Sequence, residues 1–322
     1  MKLVVIIPAL NEQASIHSVI TSTPANFPGV DKIEVIVIDD GSTDETTSLA
    51  EKAGARVISH GCNRGVGAAF LTGIEAALSA GADLIVNMDG DGQFDPSTIP
   101  QLVNPILEDR ADFVTCTRFT KKEGIADMPW IKKTGNRFVA WIINILTGQR
   151  FTDVSCGFRA YTRDTALKLN LFGEFTYTQE TFLDLVRKKI RIIEVPLSVK
   201  GEREFGKSRV AKSIPRYAIR AGSIIFLALR DTRPLIFFGL MGFIIIALGL
   251  IAGGFVFGHW IATGQTTPYQ SFIVLSAVLL ILGFLLINLA LIADMLGRIR
   301  RNQEQILYIQ KKRLWDHKQP EP

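Results

Sequence analysis

Leu84-Ile85-Val86-Asn87-Met88-Asp89-Gly90-Asp91-Gly92-Gln93 runs from an apolar segment straight into two carboxylates spaced by one glycine. The first half reads as a buried strand, being short and rich in β-branched and other apolar residues. Along an extended backbone alternate side chains share a face, so Asp89 and Asp91 project to the same side. The flanking glycines let the backbone turn closely around a ligand. Comparable runs lie at 2–7, 34–39, 56–59 and 113–117, and the segments 12–22, 43–53, 65–80 and 96–109 between them carry helical spacing. Strand-helix alternation at this interval implies right-handed crossovers and a mostly parallel sheet with helices on both faces, an α/β fold. Ligands of such sheets bind beyond the carboxyl ends of the strands. Polar motifs are expected there, and Asn11-Glu12, Asp39-Asp40-Gly41-Ser42, Asn63-Arg64-Gly65 and Asp89-Gly90-Asp91 follow the first four strands.

The whole chain has 322 residues, 48% of them hydrophobic, with 36 Lys+Arg against 31 Asp+Glu and only 3 Cys. These figures exclude disorder, collagen and a disulfide-stapled mini-protein. A net charge of +5 is too small to indicate nucleic acid, and none is expected as a partner. Cys62, Cys116 and Cys156 lack metal-ligand spacing and are expected to be buried free thiols in a reducing compartment. Met1 to Pro8 reads as a buried first strand, not a signal-peptide core. The mean hydropathy of +0.24 is high for a chain with 21% charged residues, so the apolar residues must be concentrated. Leu235–Gly258 and Phe272–Ala293 contain no charge, and at about 22 to 24 residues each can cross a bilayer core. Trp260 and Tyr269 flank the loop between them, which has no Lys or Arg, while Arg216, Arg220, Arg230 and Arg233 precede the first span and Arg298, Arg300 and Arg301 follow the second. The positive-inside rule places both termini and the α/β domain in the cytoplasm. The pattern of Ile214, Tyr217, Ala218, Ala221, Ile224 and Ile225 with Lys212, Arg216 and Arg220 predicts an amphipathic helix on the anionic membrane surface. Gly249, Gly253 and Gly254 leave room for close helix contact, which admits a homo-oligomer.

The paired carboxylates suit a hard divalent cation, Mg²⁺ or Mn²⁺, which takes one or two carboxylates plus phosphate oxygens. A nucleotide-diphosphate donor fits, because its leaving group develops charge that such an ion offsets. A calcium loop is disfavoured by the missing terminal Glu and glycine position. In Asp39-Asp40-Gly41-Ser42-Thr43-Asp44, helix capping accounts for Ser42, Thr43 and Asp44 but not for two acids ending a buried strand. These can meet a base or ribose. The G-x-G-x-x-G spacing of dinucleotide enzymes is absent.

Pro8-Ala9-Leu10-Asn11-Glu12, Asp39 to Asp44, Asn63-Arg64-Gly65-Val66-Gly67 and Asp89 to Gln93, in this order, resemble the family 2 glycosyltransferases with the GT-A fold. Thr117-Arg118-Phe119, Ser155-Cys156-Gly157-Phe158-Arg159-Ala160-Tyr161, Glu194-Val195-Pro196 and Gly206-Lys207-Ser208 are similar to the dolichyl-phosphate mannose synthase and bacterial polyprenyl-phosphate glycosyltransferase branch. The resemblance covers roughly residues 1–210 and implies a nucleotide sugar and a polyprenyl phosphate as substrates. It implies that Pro8, Asn11 and Glu12 line the nucleotide pocket, that Asp39 and Asp40 meet the base or ribose, and that Asp89, Asp91 and Gln93 hold the metal. Arg118 would face the acceptor or donor phosphate, and Arg203, Lys207 and Ser208 would close over the diphosphate or meet the lipid phosphate. Lys132 and Asn136 stand where the mannose synthases carry Arg and Ser, and Lys offers a point charge instead of a bidentate fork. Glu180 stands where such enzymes place an acid near the acceptor, to position a sugar hydroxyl or act as base; a helix-start carboxylate is its structural alternative. The hallmark Q-x-x-R-W of processive polysaccharide synthases is missing.

The resulting organisation is a cytoplasmic GT-A domain over 1–205, an amphipathic juxtamembrane segment over 206–232, spans at 233–258 and 271–294 around an external loop 259–270, and a basic tail over 295–322. The expected activity is inverting transfer of glucose or mannose from a UDP- or GDP-linked donor to undecaprenyl or dolichyl phosphate. A phosphate acceptor is already ionised at pH 7 and needs little help from a base. Two alternatives are a family 2 enzyme acting on a lipid hydroxyl or lipid-linked sugar, and a non-catalytic membrane-anchored scaffold that binds nucleotide.

Overall fold

The computed structural model describes residues 1–119, 130–171, 177–199 and 234–316. It falls into two compact units, one holding the described residues up to 199 together with 307–316, the other 234–306.

The first unit is built on a seven-stranded sheet in the order β3-β2-β1-β4-β6-β5-β7. Its strands are β1 (Lys2–Ala9), β2 (Lys32–Asp39), β3 (Arg56–Ser59), β4 (Leu84–Asn87), β5 (Phe113–Thr117), β6 (Arg159–Thr162) and β7 (Ile192–Pro196). The helices are α1 (Ile16–Thr21), α2 (Thr46–Lys52), α3 (Val66–Ser79), α4 (Ile99–Leu107), α5 (Trp130–Thr147), α6 (Arg163–Lys168) and α7 (Tyr177–Arg187). Central β1 is an unbroken apolar run because helices cover both faces of the sheet: Leu3, Val4, Val5, Ile6 and Ile7 are all at 0% exposure. Each such side chain contributes about 1.5–3 kcal/mol over its exposed state. α3 closes directly onto β1 and β2 at Gly73, where a Cβ would stand 3.0 Å from Ile6 and 3.1 Å from Ile38.

β1 pairs in parallel with β2 and β4, and β2 with β3. β6 alone is reversed, antiparallel to both β4 and β5, and β7 again runs parallel to β5. That single reversal positions the site. The chain entering β6 arrives at the same sheet edge at which β1, β2, β4, β5 and β7 end. Segment 152–158, Arg118 and the acidic motifs therefore all converge on one edge.

The second unit contains α8 (Pro234–Thr263, 30 residues) and most of α9 (Gln270–Asp316, 47 residues). Both are long and apolar enough to cross a membrane, with only 11% of the apolar window of each buried. That exposure disagrees with helices of a soluble core. The helices overrun the expected spans: α8 continues to Thr263, and α9 passes through Asp294 and Arg298 (3.0 Å) and Arg300 and Glu304 (3.0 Å), pairs at i,i+4 that support a solvated helix. Gly242 and Gly283 face each other, each with a would-be Cβ 2.8 Å from the other's glycine carbonyl. The close helix contact expected at Gly249, Gly253 and Gly254 is made within this chain at the first two, which meet Leu279, Leu280 and Ser276, whereas a Cβ at Gly254 would meet nothing within 4 Å. Ser276 Oγ donates to the Gly249 carbonyl at 2.7 Å. At its far end α9 joins the first unit, where Tyr308 donates to Asp164 (2.6 Å) and Lys311 to the Leu169 carbonyl (3.1 Å). The predicted amphipathic segment 206–232 lies outside the described residues. Cys116 and Cys156 are buried free thiols as expected, whereas Cys62 is exposed, because it sits in the loop after β3 and not in the sheet.

Candidate functional site

Asp89 to Gln93 follow β4 at the common edge. Gly92 has φ +72°, a left-handed turn that suits glycine and returns the Gln93 N–H to Asp91, 3.1 Å from its Oδ1. Asp91 is 4% exposed, while Asp89 and Gln93 are half-buried. The motif is held in place from the β1 side, where Ser15 Oγ donates to the Gly90 carbonyl at 2.7 Å. Asp89 is held from the β6 side, because its carboxylate lies over Gly157, where a Cβ would come within 2.8 Å of Oδ2.

The loops after β1, β2 and β3 are knitted to one another. Asn11 has φ +52°; its N–H donates to Ser42 Oγ (2.9 Å) and its Oδ1 accepts from the Thr43 N–H (2.8 Å). The Glu12 N–H donates to Thr46 Oγ1 at 2.8 Å. Pro8 is buried within β1. Asp39 accepts from the Ser42 N–H (3.0 Å) and Ser59 Oγ (2.9 Å). Burial works to raise its pKa, but these bonds leave it below the ordinary carboxylate value. Asp40 accepts from the Arg64 and Gly65 N–H groups, each at 2.9 Å, and pairs with His60 Nδ1 at 2.9 Å. Both acids thus shape the loops at the strand ends and use oxygens within the protein to do so.

Arg118, just beyond β5, is held by a buried partner absent from the sequence reading. Its Nε and Nη2 donate to the two oxygens of Asp153 at 2.6 and 2.9 Å, and Nη2 also reaches Ser155 Oγ at 2.7 Å. The Asp153 side chain is 0% exposed and that of Arg118 17%. Burial opposes charge on both, yet the pairing holds the guanidinium above its ordinary pKa and the carboxylate below its own. Such a planar fork is fixed in direction as well as charge. Glu194 on β7 braces the same segment, accepting from the Thr152 and Asp153 N–H groups at 2.9 Å. Burial raises the pKa of Glu194 despite those bonds.

Glu180 lies half-buried in the first turn of α7, where the helix dipole favours a carboxylate. Asn136 is half-buried on α5. The backbone of Lys132 belongs to the same helix one turn earlier, but its side chain lies outside the described residues, as do Arg203, Lys207 and Ser208. Sequence reasoning passed over Asp153, Glu194, Ser15 and Asn87 as site-shaping residues. Two of them left a usable signal: Asp153 is an acid directly ahead of the Ser155–Tyr161 motif, and Glu194 opens the Glu194-Val195-Pro196 motif, to which no role was given.

The donor set at Asp89 and Asp91 fits a hard divalent cation. Among the described residues no cluster of three or more His, Cys, Asp or Glu forms a closed metal cage. Two oxygen ligands at an open sheet edge leave the remaining positions to phosphate oxygens, as Mg²⁺ and Mn²⁺ prefer, and lack the nitrogen and sulfur donors of structural zinc.

A mostly parallel sheet with one reversed strand, acids at its carboxyl edge and helices on both faces defines a GT-A-type sugar-nucleotide transferase fold. Residues 4–169 match Glycosyl transferase family 2. The chain belongs to this family and is a glycosyltransferase. It is 29% identical over 212 residues to a UDP-N-acetylglucosamine–dolichyl-phosphate N-acetylglucosaminyltransferase of Methanococcus voltae, covering 60% of this chain and 83% of the relative. It is 27% identical over 313 residues to an undecaprenyl-phosphate 4-deoxy-4-formamido-L-arabinose transferase of Sodalis glossinidius, covering 92% and 89%. Glucosyl-3-phosphoglycerate synthase of Mycobacterium tuberculosis, solved with Mn²⁺, UDP and glucosyl-3-phosphoglycerate, superposes with a TM-score of 0.52 at 23% identity, over 72% of this chain and 79% of that one.

Proposed function

We propose that this chain transfers a hexose, glucose or mannose, from a UDP- or GDP-linked donor to undecaprenyl or dolichyl phosphate at the cytoplasmic membrane face, with inversion. The observation that carries this reading is Arg118. Asp153 and Ser155 engage its Nε and Nη2, and the Nη1 donors, which take no part in those bonds, suit an anionic oxygen at the edge where the Asp89–Asp91 motif ends. The relatives named for dolichyl and undecaprenyl phosphate support a lipid phosphate in that role. α5 supports a membrane-held acceptor: Phe138, Trp141 and Ile145 are 50%, 58% and 61% exposed, and their spacing puts them on one helix face. An apolar stripe of that kind suits a lipid interface.

In this mechanism a divalent cation held by Asp89, Asp91 and Gln93 would offset charge on the leaving nucleoside diphosphate. Pro8, Asn11, Glu12, Asp39 and Asp40 form the nucleotide side. Arg118, with Lys132 and Asn136 on α5, orients the acceptor phosphate. Its oxygen forms the new bond to the anomeric carbon while the bond to the donor diphosphate breaks. No proton need be removed from an ionised phosphate, so Glu180 serves to position a sugar hydroxyl. Arg203, Lys207 and Ser208 supply positive charge and a hydroxyl to the diphosphate side. Positioning and fixed charge account for most of the acceleration.

The test uses the full chain in detergent with Mn²⁺, polyprenyl phosphate and labelled UDP- and GDP-sugars. A mild-acid-labile lipid product is expected. An alkali-labile or acid-stable product instead identifies a lipid hydroxyl acceptor and overturns the reading.

A further inference from the structure

Arg159 is the largest fully buried side chain of the described residues, at 0% exposure, and no carboxylate pairs with it there. Its acceptors are main-chain carbonyls. Nε donates to Cys156 (2.8 Å), and Nη2 to Val154 (3.3 Å) and to Thr178 (2.8 Å). Its guanidinium lies over the rings of Phe182 (5.0 Å) and Phe113 (5.8 Å), and Nη1 is without a hydrogen-bond partner. A charge buried this deeply without a counter-ion is expensive to keep, which directs attention to what its bonds connect.

They connect two pieces of the site. Segment 153–158 carries Asp153 and Ser155, which pin Arg118, and Gly157, which abuts Asp89. Thr178 stands in the first turn of α7 with Glu180. Asn87, the cross-strand partner of Arg159, adds a second tie, its Nδ2 donating to the Gly157 carbonyl at 2.7 Å. The same Nδ2 reaches the Tyr177 hydroxyl at 3.4 Å, so the first residue of α7 is tied to the end of β4, two residues before Asp89. The geometry points to Arg159 as a positioning residue that, with Asn87, sets the spacing between segment 153–158 and α7 and thereby fixes Asp89 and Arg118 relative to Glu180. It touches none of the reacting atoms. This inference rests on the proposed roles of Asp89, Arg118 and Glu180.

The test compares the full-length wild type with Arg159→Lys in detergent. Lysine keeps the charge, but a single ammonium cannot reproduce a planar fork reaching carbonyls on two elements. With kcat for lipid glycosylation expected to fall about 100-fold, the scale of a misplacement near 1 Å, the donor KM should stay within about 3-fold. Mn²⁺ binding in the presence of UDP or GDP, read by electron paramagnetic resonance, should weaken about 10-fold. Amide exchange should quicken in 153–158 and the first turn of α7 but not in β1 to β3. Values of kcat and Mn²⁺ affinity within about 2-fold of wild type, or exchange quickened evenly through the sheet, would overturn the inference. Absence of lipid product from the wild type would sink the acceptor reading only, since Mn²⁺ binding and exchange still decide the role of Arg159. Absence of wild-type Mn²⁺ binding would sink the metal reading and leave exchange to decide. If Arg159→Lys does not fold, Asn87→Leu removes the second tie without touching the charge. The same local exchange change is then expected, and its absence overturns the inference.

Discussion

Replacing Asp153 by Asn separates the pinning of Arg118 from its charge. Asp153 is fully buried and accepts five bonds, two from the Arg118 guanidinium (2.6 and 2.9 Å), one from the Arg118 main-chain N–H (3.4 Å) and two from Ser155 (both 3.1 Å). Asparagine keeps one carbonyl acceptor and turns an N–H toward a donor where the second oxygen stood. Losing one charge-assisted bond is worth about 1.5–3 kcal/mol, and stranding one partner of a buried pair about 3–5 kcal/mol. Arg118 retains some solvent contact at 17% exposure, which places the expected loss near the lower bound, about 3 kcal/mol. For a domain of this size that lowers the midpoint of thermal unfolding by about 6–12 °C, measured by calorimetry of the detergent-solubilised protein at pH 7. The pH dependence has a definite sign. The folded pKa of Asp153 lies below its ordinary value because Arg118 outweighs burial. Its stabilisation is therefore present above about pH 4 and lost as pH falls through the lowered folded value, so the gap between wild type and variant closes in acid. Adding Arg118→Met to Asp153→Asn removes the stranded cation and should recover part of the stability while activity stays low. A gap below about 1 kcal/mol, the range of a surface pair, or a double variant no more stable than the single one, refutes the pinned-guanidinium account.

Asp91→Ala should reduce transfer by about 10³-fold or more with an unchanged far-ultraviolet spectrum; retained turnover in Mg²⁺ removes Asp91 from the metal site. Gly157→Ala drives a methyl within 2.8 Å of Asp89, so Mn²⁺ affinity measured with UDP present should drop about 10-fold in a folded protein. Glu194→Gln leaves the Thr152–Asp153 turn with one acceptor oxygen in place of two and should cost about 1 kcal/mol. The resulting looseness of Arg118 should appear as a higher KM for the lipid, with donor KM unchanged. In the membrane unit, Gly283→Leu forces a side chain into a position where a Cβ already meets Ile246 at 2.5 Å, and disulfide cross-linking between cysteines placed on α8 and α9 should become slower.

The parallel half of the sheet is legible because β1, β4 and the second half of β2 are covered on both faces, which makes them apolar runs, and Glu12, Asp39–Asp40 and Asp89 stand at or just beyond their ends. β6 is not legible in that way. It is four residues long and opens on a buried arginine, and an arginine ordinarily marks a surface. Asp39 and Asp40 announce themselves as strand-end acids, but the N–H groups of Ser42, Arg64 and Gly65 that they hold carry no side-chain signature. The Arg118–Asp153 pair joins positions 35 residues apart, and it exists only because β6 turns the chain back to the edge where β5 ends. The helices α8 and α9 are legible in their apolar centres and not at their ends, where i,i+4 ion pairs extend α9 beyond its uncharged stretch.

The reversed strand also sets a schedule for the nascent chain. β3, β2, β1 and β4 can pair as soon as residue 87 has emerged, but the free side of β4 waits for β6, roughly 75 residues later, or about 4–15 s at ordinary rates of synthesis. During that interval β4 is a bare, apolar edge of the kind that recruits other strands. The segment that covers it is the one that completes the surroundings of Asp89 and Arg118. Protection from aggregation and the arrival of catalytic competence are thus one event in the life of the chain. Substitutions that slow the insertion of β6 should lower the yield of soluble enzyme more than they lower the specific activity of the molecules that succeed.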